Sequence, residues 1–273
     1  MKKITFTFDL EDHRVNKTND FSRIEKNCYK LLDWLEERNF KATFFIIGEI
    51  AIKLPKLIRD IDLGGHEIGS HSYEHISLLK HDAESFSLNI EKSKKVIEDI
   101  CGKAVKGFRA PYFSMTNDTK WATDILFEKG FIYSSSVVPK KYSNFGMNDV
   151  PNNAFYWPSG LLELPMVLGS LGGYKFPCIG GIYIKLLPLI LIQKSLPSTG
   201  VFWTYLHPYD YDVSEPYTKI HGTGHLGSFL LWIRRNSVLK KTEKLLNGFK
   251  KETFINRIIN NEFSNAIKLE QLT

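Results

Sequence analysis

Ile4-Thr5-Phe6-Thr7-Phe8-Asp9-Leu10-Glu11-Asp12-His13 sets the reading of the whole chain. Ile4–Asp9 alternates apolar and hydroxyl side chains and ends in acid, the pattern of a strand that runs out into a polar loop. Downstream, Phe21–Asn39 carries Ile24, Cys28, Leu31, Leu32 and Leu35 at three- and four-residue steps, which predicts an amphipathic helix. Ala42–Ile47 reads as a buried strand and Ile50–Leu63 as a helix. Glu67–Gly69 is a short strand opening onto His71, and Asp82–Cys101 is a long helix that stops near Gly102. A strand at Gly107–Arg109, a helix at Thr119–Lys129 and a strand at Ile132–Ser134 continue the rhythm. Strands alternating with helices imply βα units around a parallel sheet or barrel, with the chemistry gathered at the C-terminal ends of the strands. From Val137 to Tyr183 the pattern weakens, and Leu161–Pro165 is the clearest strand there. Val201–Leu206 is expected as the last strand and Phe229–Phe249 as one basic amphipathic helix.

The 273 residues, 43% hydrophobic and 24% charged, suit an ordinary globular protein with a sizeable core. The net charge of +6 comes without an arginine-rich tract or a nucleic-acid motif, so nucleic acid is not expected as a partner. Part of the excess lies near the C-terminus, at Arg234, Arg235, Lys240, Lys241, Lys244, Lys250 and Lys251, where the plain expectation is a solvated helix face. Cys28, Cys101 and Cys178 are odd in number and form no Cys-x-x-Cys, which points to free thiols in a reducing compartment. Met-Lys-Lys leads straight into the first strand, with no apolar leader, and no run of eighteen apolar residues follows. A cytoplasmic location is therefore expected. The basic tail and the apolar Ile182–Ile192 stretch suggest contact with the inner membrane surface.

Four polar clusters stand at strand ends. Asp9, Glu11 and Asp12 are three carboxylates within four residues, and a divalent metal would relieve their repulsion; solvated loop acids are the alternative. His71 and His75, in Gly69-Ser70-His71-Ser72-Tyr73-Glu74-His75, can offer two imidazoles to one ion. With a carboxylate they would leave an open position for water, as catalytic zinc sites do. Arg109, in Gly107-Phe108-Arg109-Ala110-Pro111-Tyr112, can orient a carboxylate through its planar fork. His207, in Tyr205-Leu206-His207-Pro208, could be a general acid or a hydrogen-bonded structural histidine.

In order and spacing, Thr-Phe-Asp, His-Ser-x-x-His, Arg-x-Pro-Tyr and the late Leu-His resemble the polysaccharide deacetylase superfamily, the NodB-like enzymes of carbohydrate esterase family 4, from Phe6 to about Tyr211. Asp-Leu-Glu-Asp, Gly-Phe-Arg-Ala-Pro and Gly180-Gly181-Ile182-Tyr183 before Leu186-Leu187-Pro188 further resemble its exopolysaccharide and surface-glycan branch. The resemblance implies a distorted (β/α) barrel of about seven parallel strands. It divides the chain into a deacetylase barrel at 1–215 and a basic helical extension at 216–273 packed on the same domain. It implies metal-dependent removal of acetyl from an N-acetylated amino sugar in surface-polysaccharide biosynthesis. Carried over, Asp9 is the general base, Arg109 orients it, the Tyr112 backbone N–H binds the oxyanion and His207 protonates the leaving amine. His71 and His75 are metal ligands. Asp12 is favoured as the third, because the branch's acid pattern is strictest there, with Glu11 as the alternative. Zinc is the default ion, with cobalt, nickel or manganese also suited to the set. One departure is Tyr133-Ser134-Ser135-Ser136, where Ser134 stands in place of the acid that tunes the family's histidine, so His207 is expected either to find another partner, such as Asp210, or to be a weaker acid.

The expected substrate is a sugar nucleotide or a lipid-linked saccharide. Two other readings remain: an amidohydrolase of a small cyclic amide, and a non-catalytic glycan-binding module.

Overall fold

The computed structural model describes residues 1–12, 20–142, 145–220 and 223–270. Its frame is an eight-stranded, mainly parallel sheet. Strand β1 (Phe6–Leu10) lies parallel to β2 (Ala42–Ile46), with Phe6 opposite Ala42 and Leu10 opposite Ile46. Then come β3 (Glu67–Ser70), β4 (Gly107–Phe108) and β5 (Tyr133–Ser134), each parallel to the one before. The pair β6 (Phe155–Tyr156) and β7 (Leu162–Glu163) is antiparallel, with β7 beside β5, and β8 (Ile267–Lys268) finishes the edge.

The other edge is taken up by the segment predicted as the last strand. Thr5 and Phe8 bridge in parallel to Trp203 and Leu206, and the Asp9 N–H donates to the Leu206 carbonyl at 2.9 Å. Val201–Leu206 is thus a set of bridges and not the continuous strand expected, because side chains enter its ladder. The Thr7 N–H donates to the Thr204 hydroxyl at 3.1 Å, and the Thr7 hydroxyl donates to the Thr204 carbonyl. The Trp203 indole N–H reaches the Pro165 carbonyl at 3.1 Å, tying this last stave to the chain just past β7. The result is a distorted (β/α) barrel.

The strands carry period-two alternation buried on both faces. Phe6, Phe8, Phe44 and Ile46 pack outward under the helices, while Phe45, Tyr133, Leu162, Leu164 and Trp203 fill the barrel. Helices α1 (Ser22–Glu37), α2 (Gly48–Lys53), α3 (Pro55–Leu63), α4 (Ala83–Cys101) and α5 (Ala122–Glu128) follow the predicted order. The single helix expected at Ile50–Leu63 is broken. Pro55 lacks an N–H and pushes Leu54 out of the helical region, to φ −125° and ψ 51°. In α4, Asp82 accepts from the Ser85 N–H in a capping box, and Gly102 ends the helix in the left-handed conformation at φ 67°.

The later helices are α6 (Gly181–Leu186), α7 (Leu189–Ser195), α8 (Gly224–Trp232) and α9 (Val238–Leu246). The long basic helix expected at Phe229–Phe249 is therefore two helices. Between them Ile233 is extended and Arg234 is left-handed at φ 56°. The cause is tertiary. Arg235 is buried, pairs with buried Glu215, and donates to the Leu231 and Asp212 carbonyls, so the chain must turn inward. Lys241 donates to the carbonyls of Ile184, Lys185 and Leu187 at the end of α6. These two charges hold the fold together and do not form a solvated face.

The chain returns to the base of the barrel. Lys250 pairs beside Lys3, and Phe254 packs among Phe45, Tyr133 and Trp203. Half-buried Glu67 accepts from Thr43, Tyr133 and the Ile255 N–H at 2.6, 2.7 and 3.0 Å, and Arg257 donates to Thr5 Oγ1 and the Phe202 carbonyl, both at 3.1 Å. This end is sealed, which leaves the opposite mouth for chemistry.

Candidate active site

Strand pleat decides which acids face the mouth. Alternate residues of β1 point the same way, so Thr7 and Asp9 share the interior face and Glu11, one step on, continues it. Arg109 confirms the register. Its Nη1 donates to Thr7 Oγ1 at 2.8 Å and to Asp9 Oδ1 at 2.7 Å, while Nε and Nη2 reach the Ser135 carbonyl and hydroxyl at 3.1 and 3.0 Å. The guanidinium is fully buried over the Phe45 and Trp203 rings, 4.1 and 4.3 Å from their centroids. It has no rotational freedom to lose, so Asp9 is held in one orientation.

Glu11, His71 and His75 come together. Glu11 Oε2 lies 2.5 Å from His75 Nε2 and 3.5 Å from His71 Nε2, and one ligand atom from each residue falls within 4.8 Å of the others. His71 Nδ1 donates to the Arg109 carbonyl at 2.8 Å, which leaves its Nε2 lone pair facing Glu11. His75 Nε2 is buried without an aligned hydrogen-bond partner, despite the 2.5 Å approach of Glu11. The Glu11, His71 and His75 ligand atoms are close enough together to share one ion. Two imidazoles and a carboxylate are also the donor set of catalytic zinc, so the residues fit a divalent metal. Burial alone would raise the Glu11 pKa, but the surrounding imidazoles of His75, His207 and His71 hold it well below the carboxylate range.

Among the described residues, the group that could share one ion is Glu11, His71 and His75. Asp12, the favoured third ligand, lies one residue out of phase with Asp9 and Glu11, and lines a small cavity with Glu11, Arg23, Asn27, Tyr209 and Asp212. The alternative, Glu11, is the residue brought to the histidines. The alternation of Thr7, Asp9 and Glu11 was the signal available in the sequence. His13, quoted with this cluster, lies outside the described residues.

His207 stands on the far side of Glu11, its Nε2 3.4 Å from Glu11 Oε1. Its ring stacks on Tyr209 at 4.6 Å and meets the edge of Tyr205 at 4.6 Å. The Tyr209 hydroxyl donates to Glu11 Oε1 at 3.0 Å. The expected acid at Ser134 is indeed missing. Ser134 is buried and donates to Ser136 Oγ at 2.7 Å. Asp210 replaces it: Oδ2 accepts from His207 Nδ1 at 2.8 Å and from the His207 backbone N–H at 2.9 Å. Its other oxygen accepts from Lys185 at 2.7 Å, and Lys185 also reaches the Leu231 carbonyl at 3.0 Å. Both partners are buried. Burial opposes ionisation of Asp210, but Lys185 and His207 override it and hold its pKa far below the normal range. For His207, burial pulls the pKa down, while Glu11 and then Asp210 raise it to a net upward shift. Lys185 interrupts the apolar Ile182–Ile192 stretch, and a lysine buried there needs a partner of opposite charge.

Tyr112 belongs to a loop that Pro111 opens. Tyr112 and Phe113 are both left-handed, at φ 57° and 50°, and the Tyr112 ring packs on His75 at 4.6 Å. Ser72 and His75 are also left-handed, at φ 65° and 56°. Four of the eight non-glycine positive-φ residues among those described therefore sit in the two loops around this mouth. Such conformations cost about 1–3 kcal/mol each and collect where a site must be held in shape.

Residues 1–126 match the family model for polysaccharide deacetylases, and residues 135–258 match a domain of unknown function, DUF3473. The chain is 35% identical over 125 residues to a peptidoglycan-N-acetylglucosamine deacetylase of Bacillus cereus, covering 45% of this chain and 44% of that protein. It is 39% identical over 93 residues to a chitooligosaccharide deacetylase of Azorhizobium caulinodans, covering 34% of this chain and 41% of that one. The chain thus spans less than half the length of these relatives. Among solved structures, a Mycobacterium smegmatis protein classed as a polysaccharide deacetylase superposes with a TM-score of 0.64 at 19% identity, over 99% of this chain and 93% of that one.

Proposed function

We propose that the chain, whose first 126 residues match the polysaccharide deacetylase family model, is a metal-dependent hydrolase that removes acetyl from an N-acetylated amino sugar. The observation that carries the reading is the convergence of three groups at one barrel mouth. These are the Arg109-held Asp9, the Glu11/His71/His75 trio and the Asp210-held His207. Asp9 Oδ2 is 4.0 Å from His71 Nε2, so the base stands beside the ligand set.

Glu11, His71 and His75 would hold the ion, and a bound divalent ion supplies Lewis acidity and lowers the pKa of water. Asp9 takes the proton of the attacking water as its oxygen bonds to the acetyl carbon. The Tyr112 backbone N–H donates to the oxyanion of the tetrahedral intermediate. His207 delivers a proton from Nε2 to the amide nitrogen as the C–N bond breaks, releasing acetate and the free amine. Asp210 on Nδ1 fixes the tautomer and ring plane needed for that transfer. A proton transfer of this kind contributes roughly a hundred- to ten-thousandfold in rate.

Zinc is the proposed ion. The proposed setting is surface-polysaccharide biosynthesis in the cytoplasm, on a sugar nucleotide or a lipid-linked saccharide. Three unpaired cysteines, two of them buried, support a reducing compartment. The intact base, ligand trio and acid argue against a non-catalytic module. Acetate release from acetamido sugar nucleotides and lipid-linked saccharides tests the reading. Chelator-sensitive release from a stoichiometrically metal-loaded protein is expected. A fully loaded protein that releases no acetate from any of them refutes it.

A further inference from the structure

Helix α8, Gly-His-Leu-Gly-Ser-Phe-Leu-Leu-Trp, is mostly apolar, yet Ser228 is its one buried residue. A helix of that kind belongs in a core or in lipid. Here Leu226 is 72% and Phe229 46% exposed, and the Phe229 and Tyr217 rings flank Trp232 at 6.3 and 5.7 Å. Aromatic rings with a polar tip beside aliphatic groups are what bilayer interfaces collect.

The surrounding charge is one-sided. No Asp or Glu occurs from Leu164 to Tyr209 or from Pro216 to Thr242, and Glu215 is buried against Arg235. These two stretches supply α6, α7, α8 and the start of α9, which pack on one another and are stitched by Lys241 and Arg234; α9 goes on to Glu243, which pairs with Arg38 at 3.1 Å. Their exposed charges, Lys194, Lys219, Arg234 and Lys240, are all positive. With Glu243 engaged by Arg38, the remaining exposed charge on these helices is positive, which matches an anionic surface.

We propose that the exposed apolar face of α8, flanked in the chain by exposed Lys219 and Arg234, docks on the surface of an anionic lipid bilayer. Nine residues rise about 14 Å, under half of the roughly 30 Å hydrocarbon core, so the helix lies in the interface and does not span it. The position bears on the substrate. The Leu231 carbonyl of α8 accepts from Lys185, Lys185 binds Asp210, and Asp210 binds His207. Docking would set the barrel mouth at the lipid surface, which favours a lipid-linked saccharide; that last step rests on the deacetylase reading, while docking itself does not.

The test is co-sedimentation with vesicles of phosphatidylcholine alone and of equimolar phosphatidylcholine and phosphatidylglycerol, at low and at raised salt. Each basic side chain near the surface contributes roughly fivefold to partitioning, so two or three give at least about a tenfold preference for the anionic vesicles, weakened by salt. Leu226→Asp/Phe229→Asp should lose at least about tenfold in binding while releasing acetate from a soluble acetamido sugar as the wild type does. His75→Ala should still bind vesicles, which separates docking from catalysis. Equal partitioning to both vesicle types, or a double variant that binds like the wild type, overturns the proposal. So does sedimentation showing a dimer that the double substitution dissolves, which would assign the face to a second copy of the chain.

Discussion

Lys185→Met removes the buried cation under Asp210 without a large change in side-chain volume. In the wild type, Lys185 is fully buried and sits 2.7 Å from an Asp210 carboxylate that is itself only 2% exposed. Removing one partner of such a pair leaves an uncompensated charge in the interior, which costs about 3–5 kcal/mol. At roughly 2–4 °C per kcal/mol for a chain of this size, the thermal midpoint should fall by about 6–20 °C. Urea unfolding gives the energy directly, through a shift in midpoint at unchanged slope. The active site should register the change as well. Asp210 must then take up a proton or pull away from His207, so kcat should fall by at least about tenfold, measured well below both midpoints, with KM little altered. Lys185→Met/Asp210→Asn separates the two effects. With neither charge of the pair left it should recover most of the stability, but not the rate, because the Asp210 carboxylate beside His207 is gone. A loss below about 1 kcal/mol in the single variant, the size of an exposed pair, would refute the claim that this pair is held out of water.

Glu11→Gln should weaken zinc binding by at least about a hundredfold in calorimetric titration, whereas Asp12→Asn should bind like the wild type; the reverse result would restore Asp12 as the ligand. Asp9→Asn should abolish acetate release while retaining metal, and His75→Ala should lose both, as read by metal analysis beside turnover. Near-normal activity in Asp9→Asn would remove it as the base. Burial, and then the charge of Lys41, lower the pKa of His66 from 6.5 to about 4, and its Nδ1 accepts from the Ala42 N–H at 3.2 Å. A depressed histidine stabilises the fold above its unfolded value of 6.5, and that stability drains away as pH falls toward 4. The wild type should therefore lose about 3 kcal/mol more than His66→Asn between pH 7 and pH 4, and parallel denaturation curves for the two would contradict this.

Local patterning made the first half of the barrel readable. Ile4–Asp9, Ala42–Ile47 and Glu67–Gly69 carry strand periodicity, and Asp82 and Gly102 bracket α4 with their own capping chemistry. Asp9, Arg109, His71, His75 and His207 could each be singled out because a polar residue at the end of an apolar strand is conspicuous. Such features lie within a few residues of one another, and local rules act at that range. What tertiary structure decided lies at longer range. Arg235, drawn inward to Glu215, split a helix that amphipathic spacing predicts as continuous. Thr204, using its side chain against Thr7, turned a strand into bridges. Glu11 displaced Asp12 because the pleat of β1, locked by Arg109 from a hundred residues away, sets which carboxylate faces the histidines. Lys185, twenty-five residues earlier in the chain, came to pair with Asp210, the carboxylate that meets His207. The sequence by itself determined which residue types stand at the strand ends; only the packed barrel decided which of them meet, because burial and pairing energies act between positions that the chain order keeps far apart.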